Sequence, residues 1–327
     1  LIMRSTLTTG PKFRDHLSVQ LVAVAMLGLA LAGLVLPAWI VNNLMFGLAR
    51  GAAVLGLLVL WRTGLMSFGH GMFFGLGAYS VALAEQWLGV SDFVLRLLVA
   101  VLVAATVSVL LGFILRRYRD IFFAMLSLAF SMVLYGILVK TEALGSTDGF
   151  SVSQTTFLGW APEDKVTLFV ACVLVCLVLA VLVQIYLRST LGRLTTAIRD
   201  NEIRVEYLGF SVSFAIHIKY VISAALAGAA GGMMAMALGQ VDPDSMVYWT
   251  VSGELVFITI MAGPGSVLAP FIGAIIFEFL RTYAFEIAPH AWQLIVGATL
   301  LLIIFFLPGG VWSLLERIPF IRRLRHG

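Results

Sequence analysis

The stretch Val166-Thr-Leu-Phe-Val-Ala-Cys-Val-Leu-Val-Cys-Leu-Val-Leu-Ala-Val-Leu-Val-Gln-Ile-Tyr-Leu187 runs for 22 residues without a charged side chain. A helix needs about 20 mostly apolar residues to cross the hydrocarbon core of a bilayer. Backbone groups in lipid must be bonded within helices or a closed barrel, and an unbroken apolar run lacks a barrel strand's alternation. The stretch therefore reads as a transmembrane helix. Comparable runs recur at about 17–37, 42–60, 64–88, 93–115, 121–139, 218–238, 246–262, 266–280 and 291–307. The expectation is an all-α, polytopic transmembrane helical bundle of about ten membrane segments. A single domain over 17–307 would lie between a polar tail, 1–16, and a basic tail, 308–327. Of 327 residues, 61 % are hydrophobic and 12 % are charged, against roughly a quarter charged in a soluble domain. A soluble protein is excluded, as is room for a second folded domain. No small-residue cleavage pattern follows the first run, so an uncleaved first helix is expected. Two cysteines cannot form a disulfide framework.

Charge sets the orientation. With a cytoplasmic N-terminus, 16 of the 21 Lys and Arg residues fall on inner connections and tails. Arg96, Lys140, Lys165 and Arg281 fall outside, and Arg50 lies within a span. This split obeys the positive-inside rule and places both termini in the cytoplasm. The basic excess is then an orientation signal in contact with membrane lipid, and nothing else in the chain supports nucleic-acid binding.

Two segments look broken or re-entrant. One carries Gly64, Gly69, Gly71, Gly75 and Gly77, and the other reads Gly263-Pro264-Gly265 with Pro270 and Gly273 close behind. Irregular backbone at membrane depth survives only where it is buried in protein or lines a cavity, as along a transport path. Gly71 and Gly75 also have the small-xxx-small spacing of helix packing, and Gly228 with Gly232 reads as packing. The run 246–262 either spans or re-enters. Ser67, His70, Phe73, Phe74 and Tyr79 are threaded through the first segment. Glu254 sits eight residues before the second break, about 12 Å along a helix, where a carboxylate must be hydrated, protonated or paired with a cation such as Arg50. These six residues are the candidate lining of a path. Glu278 and Arg281, at i and i+3, read as a snorkelling pair near the outer interface.

Catalytic motifs are absent from the sequence. There is no Gly-x-x-x-x-Gly-Lys-Ser/Thr phosphate loop, no His-Glu-x-x-His and no Gly-x-Ser-x-Gly elbow. The five histidines are far apart, and Cys172 and Cys176 read as small packing residues. The chain reads as no enzyme, without metal or bound cofactor. The largest inner loop, within 188–217, places Leu191, Leu194 and Ile198 at i, i+3 and i+7 beside Arg193 and Arg199. A helix there would present an apolar stripe to a cytoplasmic partner or to lipid headgroups.

The segment Trp61-Arg-Thr-Gly-Leu-Met-Ser-Phe-Gly-His-Gly-Met-Phe-Phe-Gly-Leu-Gly-Ala-Tyr79 resembles the signature of the branched-chain amino acid ABC permeases, specifically their LivM-type half. The resemblance continues through Phe122–Phe130, Gly192–Gly209, Ser252–Glu254, Gly263–Gly273 and Phe305–Gly310. It implies a subunit of an importer in the bacterial inner membrane, carrying branched-chain amino acids or related small amphipathic solutes. The implied partners are a second, LivH-like permease, two cytoplasmic ATPases that hydrolyse the ATP, and a periplasmic solute-binding protein. The Arg188–Ser211 loop would dock on an ATPase through Leu191, Gly192, Arg193, Leu194, Ile198, Arg199, Glu202 and Gly209. The pattern departs at Leu57 and Leu65, where Asn and Gln are frequent, at Ala262–Ser266, and at Ile203, where the importer motif has Glu. A stand-alone ion-coupled secondary transporter, with Glu254 and His70 relaying protons, is the alternative, and it leaves the cytoplasmic stripe unexplained.

Overall fold

A computed structural model describes residues 19–162, 164–307 and 309–315. The tails 1–16 and 316–327, with the basic clusters that set the expected termini, lie outside the described residues. The helices are α1 (Val19–Gly33), α2 (Ala38–Trp61), α3 (His70–Leu88), α4 (Phe93–Leu115), α5 (Asp120–Lys140), α6 (Lys165–Arg188), α7 (Thr190–Asp200), α8 (Glu202–Tyr207), α9 (Val212–Leu238), α10 (Pro243–Met246), α11 (Trp249–Ala262), α12 (Ala269–Ile287), α13 (Trp292–Phe306) and α14 (Trp312–Leu315). Two short strands, β1 (Phe150–Ser151) and β2 (Gln240–Val241), pair antiparallel with Phe150 opposite Val241.

Each of the ten apolar runs coincides with one helix, and the protein is a polytopic helical membrane protein. Six helical segments among the described residues are long and apolar enough to cross a bilayer: α2, α4, α5, α6, α9 and Pro243–Ala262, which joins α10 to α11. The other four helices do not meet that measure, so the expected count of ten crossings exceeds what length and apolarity establish.

α2 and α9 form the centre. α2 packs on α9, α12 and α6, and α9 packs on α3 and α4. With lipid as apolar as leucine, close approach of backbones holds such helices together. Gly77 and Gly231 show how close: a Cβ on Gly77 would lie 2.0 Å from the Gly228 carbonyl oxygen, and one on Gly231 would lie 1.8 Å from that of Phe74. α4 and α5 lie outside this core, with exposed Leu98, Leu102, Leu110, Ile121 and Met125.

The connections gather at two ends. At one, the Thr156 N–H donates to the Ser91 carbonyl, Val152 to that of Gly239, and Tyr135 Oη to Asp244. At the other, Arg119 pairs with Glu202, Ser213 Oγ donates to the Arg116 carbonyl, and the Val311 N–H donates to that of Met261. The two are called the outer and the inner end after the orientation expected from the charges.

Neither glycine-rich region interrupts a helix. α3 runs unbroken from His70, and the irregular backbone lies before it, at 62–69. The second irregular stretch is the connection 263–268. Both lie at the inner end, where an Arg62 Nη donates to the Pro264 carbonyl at 3.0 Å. Arg62, Thr63, Leu65, Ser67 and Gly69 are buried, which is how non-helical backbone is tolerated in a membrane protein.

Candidate functional site

A cavity of about 530 Å³ opens toward the outer end between α2, α9, α11, α12 and α13. Six charged side chains line it: Arg50, Asp242, Asp244, Glu254, Glu278 and Arg281, of which Arg50, Glu254, Glu278 and Arg281 form one cluster. Arg50 lies twelve residues beyond Ala38, about 18 Å along α2. Glu278 is nine residues into α12, and the two side chains form a close ion pair. Arg50 also lies 3.5 Å from Glu254, and Arg281 lies 3.9 Å from the same carboxylate. The Arg281 guanidinium sits 5.5 Å from the centre of the Trp292 ring, a cation–π contact. Within that cluster the formal charges cancel, which is how such groups persist inside a membrane protein, and Asp242 and Asp244 add two negative charges to the lining. Phe46, Phe74, Met234, Leu238 and Leu255 supply an apolar wall.

This arrangement corrects the reading of Glu278. It is no snorkelling partner of Arg281 at the surface: it is 6 % exposed and bound to Arg50. Glu254 pairs with Arg50, one of the alternatives its depth allowed.

Of the six residues expected along a path, Phe74 and Glu254 line the cavity. The structure does not bring Ser67, His70, Phe73 and Tyr79 to it. His70 is fully buried, its Nε2 2.6 Å from Ser223 Oγ on α9. Phe73 stands edge-on to both His70 and Tyr220. The Ser67 hydroxyl accepts the Gly69 N–H at 3.3 Å, just before α3 begins. Tyr79 is buried beneath β1, edge-on to Phe150. An intact helix turns about 100° per residue, so Phe73 and Phe74 face opposite surroundings: one the closed interior, the other the cavity.

At the inner end, Ser189 caps α7 by accepting the Gly192 N–H, and Asn201 caps α8 by accepting that of Arg204. The expected stripe on α7 turns inward. Ile198 is 2 % exposed, and Leu191 and Leu194 are half-buried, because α7 packs on α6 and α9. Ile198 is thus covered by its own chain, while Leu191 and Leu194 keep part of their surface. Gly192 is buried in the tight turn out of α6, and Arg193 and Arg199 point to solvent. Glu202 is held by Arg119, and Gly209 ends α8 at φ +86°. The exposed apolar surface lies further along, at Ile203, Tyr207, Leu208 and Phe210.

Comparison with known proteins gives these features a context. Residues 39–305 match the model of a family described as "Branched-chain amino acid transport system / permease component". The chain belongs to that family. Two relatives, each named "High-affinity branched-chain amino acid transport system permease protein LivM", come from Escherichia coli K12 and Salmonella typhimurium LT2. Each is 30 % identical over 287 residues, covering 79 % of this chain and 67 % of its own length. No solved structure matches the chain.

Within this permease, sequence reasoning missed the assembly of the charged site, although Arg50, Glu254, Glu278 and Arg281 were each visible as ionisable groups within or beside apolar runs. Trp292 carried no signal of its own. The permease's outer rim was also unforeseen. Arg96, counted only as an outer charge, is completely buried and donates to Glu85, Thr155, Ser153 and the Val90 carbonyl. Asp92 caps α4 and accepts the Leu158 N–H at 2.8 Å. That bond, with the Leu95 and Val94 N–H groups and the Arg96 charge, holds its carboxyl below the usual range.

Proposed function

We propose that this chain is a membrane-spanning subunit of an ATP-driven importer that moves branched-chain amino acids or closely related small amphipathic solutes inward. The observation that carries the reading is the outer cavity, in which a paired set of two arginines and two glutamates, beside Asp242 and Asp244, faces an apolar wall within a bundle of this permease family. A polar solute with an aliphatic tail matches both halves of that lining. The two LivM relatives are named for branched-chain amino acid transport, and that cargo is carried to this chain by the proposal. The chain has no phosphate loop, so ATP is hydrolysed by two partner ATPases. A second, LivH-like permease completes the membrane unit, and a periplasmic binding protein delivers cargo to the outer end. The unit sits in the bacterial inner membrane with ten crossings and both termini cytoplasmic.

Coupling runs through the inner end. The ATPase docks on exposed Ile203, Tyr207, Leu208 and Phe210, while α7 transmits the displacement. Arg199 of α7 lies over Gly64 of the 62–69 connection, its Cγ 3.5 Å from where a Cβ would stand.

The reading is tested by co-expressing the chain with the proposed ATPases, second permease and binding protein, then reconstituting the complex in vesicles. ATP-dependent leucine uptake that persists with the proton gradient dissipated is expected, and uptake driven by the gradient without ATP would overturn it. Ile203→Asp with Tyr207→Asp places two charges on a docking face, where burying them costs several kcal/mol. The double variant is expected to release the ATPases while the membrane part stays folded. Ile198→Asp is expected to destabilise the permease itself.

A further inference from the structure

The four clustered charges of the cavity are not equivalent. The side chains of Arg50 and Glu278 are 13 % and 7 % exposed and form the close pair. Glu254 and Arg281 are 21 % and 36 % exposed and stand 3.9 Å apart, a loose pair. Among the described residues neither the Glu254 carboxylate nor the Arg281 guanidinium makes a hydrogen bond. Arg281 has five N–H donors and the carboxylate four lone-pair positions. The other acids of the cavity are engaged: Asp244 accepts from Tyr135 Oη at 2.7 Å, and Asp242 accepts from the Ser245 N–H and hydroxyl at 2.8 and 2.6 Å.

We infer that Glu254 and Arg281 are the specificity-determining pair, reading the ammonium and the carboxylate of a zwitterionic solute, while Arg50 and Glu278 are a fixed pair that positions them. The inference rests on the permease reading above and concerns how the same cavity chooses among solutes. A solute carrying both charges on one carbon inserts between the two side chains and replaces their loose contact. Its carboxylate gains an Arg fork and its ammonium a carboxylate, both charge-assisted. A zwitterion adds no net charge to the site, so no charge is stranded in surroundings of low dielectric. An acid without the ammonium leaves the Glu254 carboxylate without a cation, and an amine without the carboxylate leaves the Arg281 guanidinium without an anion, so each makes only one of the two charged contacts and is rejected. Arg50 holds Glu254 from the inner side at 3.5 Å, and Trp292 holds Arg281 by its ring face, so both groups are aimed before the solute arrives. The aliphatic tail rests on Phe74, Met234 and Leu255.

The test uses the purified membrane complex without its binding protein and measures displacement of tritiated L-leucine. The competitors are unlabelled L-leucine, 4-methylpentanoate, which lacks the ammonium, and 3-methylbutylamine, which lacks the carboxylate. The wild type is expected to prefer leucine to either analogue by at least about tenfold, a difference of about 1.4 kcal/mol. Glu254→Gln is expected to erase the preference over 4-methylpentanoate and keep that over the amine. Arg281→Gln is expected to do the reverse, with Arg281→Lys keeping part of the carboxylate preference in a complex that assembles. Arg50→Gln is expected to lower the amount of assembled complex. Unchanged preferences in both Gln variants, equal loss for all three ligands, or no discrimination by the wild type would overturn the inference. ATP-driven leucine uptake without leucine binding in this cavity would overturn it and leave the permease reading standing. Absence of amino acid uptake by the complete complex would overturn the permease reading itself.

Discussion

His70 Nε2 and Ser223 Oγ lie 2.6 Å apart with both side chains fully buried, tying the start of α3 to the middle of α9. A buried polar group left without its partner costs about 1–3 kcal/mol. Ser223→Ala is therefore expected to lower the thermal stability of the purified permease while leaving uptake per assembled complex within a factor of two. Ser67→Leu adds bulk to a fully buried position and is expected to reduce assembly as well. Thermal unfolding and uptake measured on one vesicle preparation check both, and a tenfold loss of uptake at wild-type assembly would return these residues to the path.

Orientation can be tested at positions the fold leaves open. Thr147, on the outer connection, and Thr196, on α7, are exposed, whereas neighbouring Thr195 is 2 % exposed. In whole cells with the outer membrane permeabilised, Thr147→Cys is expected to react with an impermeant thiol reagent and Thr196→Cys only after lysis. Thr195→Cys is expected to stay unreactive in the native protein from either side, because the packing of α7 on α6 and α9 buries it. Labelling of Thr196→Cys in intact spheroplasts would invert the orientation.

The contact of Gly231 with the Phe74 carbonyl leaves no space for a methyl group. Gly231→Ala is expected to force α3 away from α9 and to cost about 1–3 kcal/mol or prevent assembly. The same change at Gly297, where nothing lies within 4 Å of the added atom, is expected to be neutral or stabilising, since alanine is the better helix former. Melting temperatures of the two variants in one detergent make the comparison.

At the outer rim, Asp92 accepts three backbone N–H groups, and its carboxyl is held below the usual range by them, that of Leu158 foremost. Because the folded state binds the proton more weakly than the unfolded chain, the ionised cap stabilises the fold at pH above about 4, the ordinary Asp value. That contribution is lost as pH falls through the lowered folded value. Asp92→Ala is expected to cost about 1 kcal/mol at pH 7. The gap between wild type and variant is expected to hold down to pH 5 and to close only in stronger acid, a profile read directly from melting curves.

The sequence by itself determined the class of this protein, because insertion in a bilayer depends on local composition. Each apolar run became a helix among the described residues, and the spread of Arg and Lys divided the connections into two sets that the fold gathers at opposite ends. Tertiary structure decided nearly everything about the site. In a membrane the faces of a helix that meet lipid and protein are equally apolar, so no periodicity separates Phe73, in the closed core, from Phe74, on the cavity. Arg50 and Glu278 are 228 residues apart, and only the packing of α12 on α2 makes them partners. The stripe on α7 was legible as a stripe, but the surface covering it comes from α6 and α9. Amphipathicity records that a helix face is buried and says nothing of what buries it. That is why the free apolar surface lies on α8, at Ile203 and Tyr207, beyond the residues the pattern had marked.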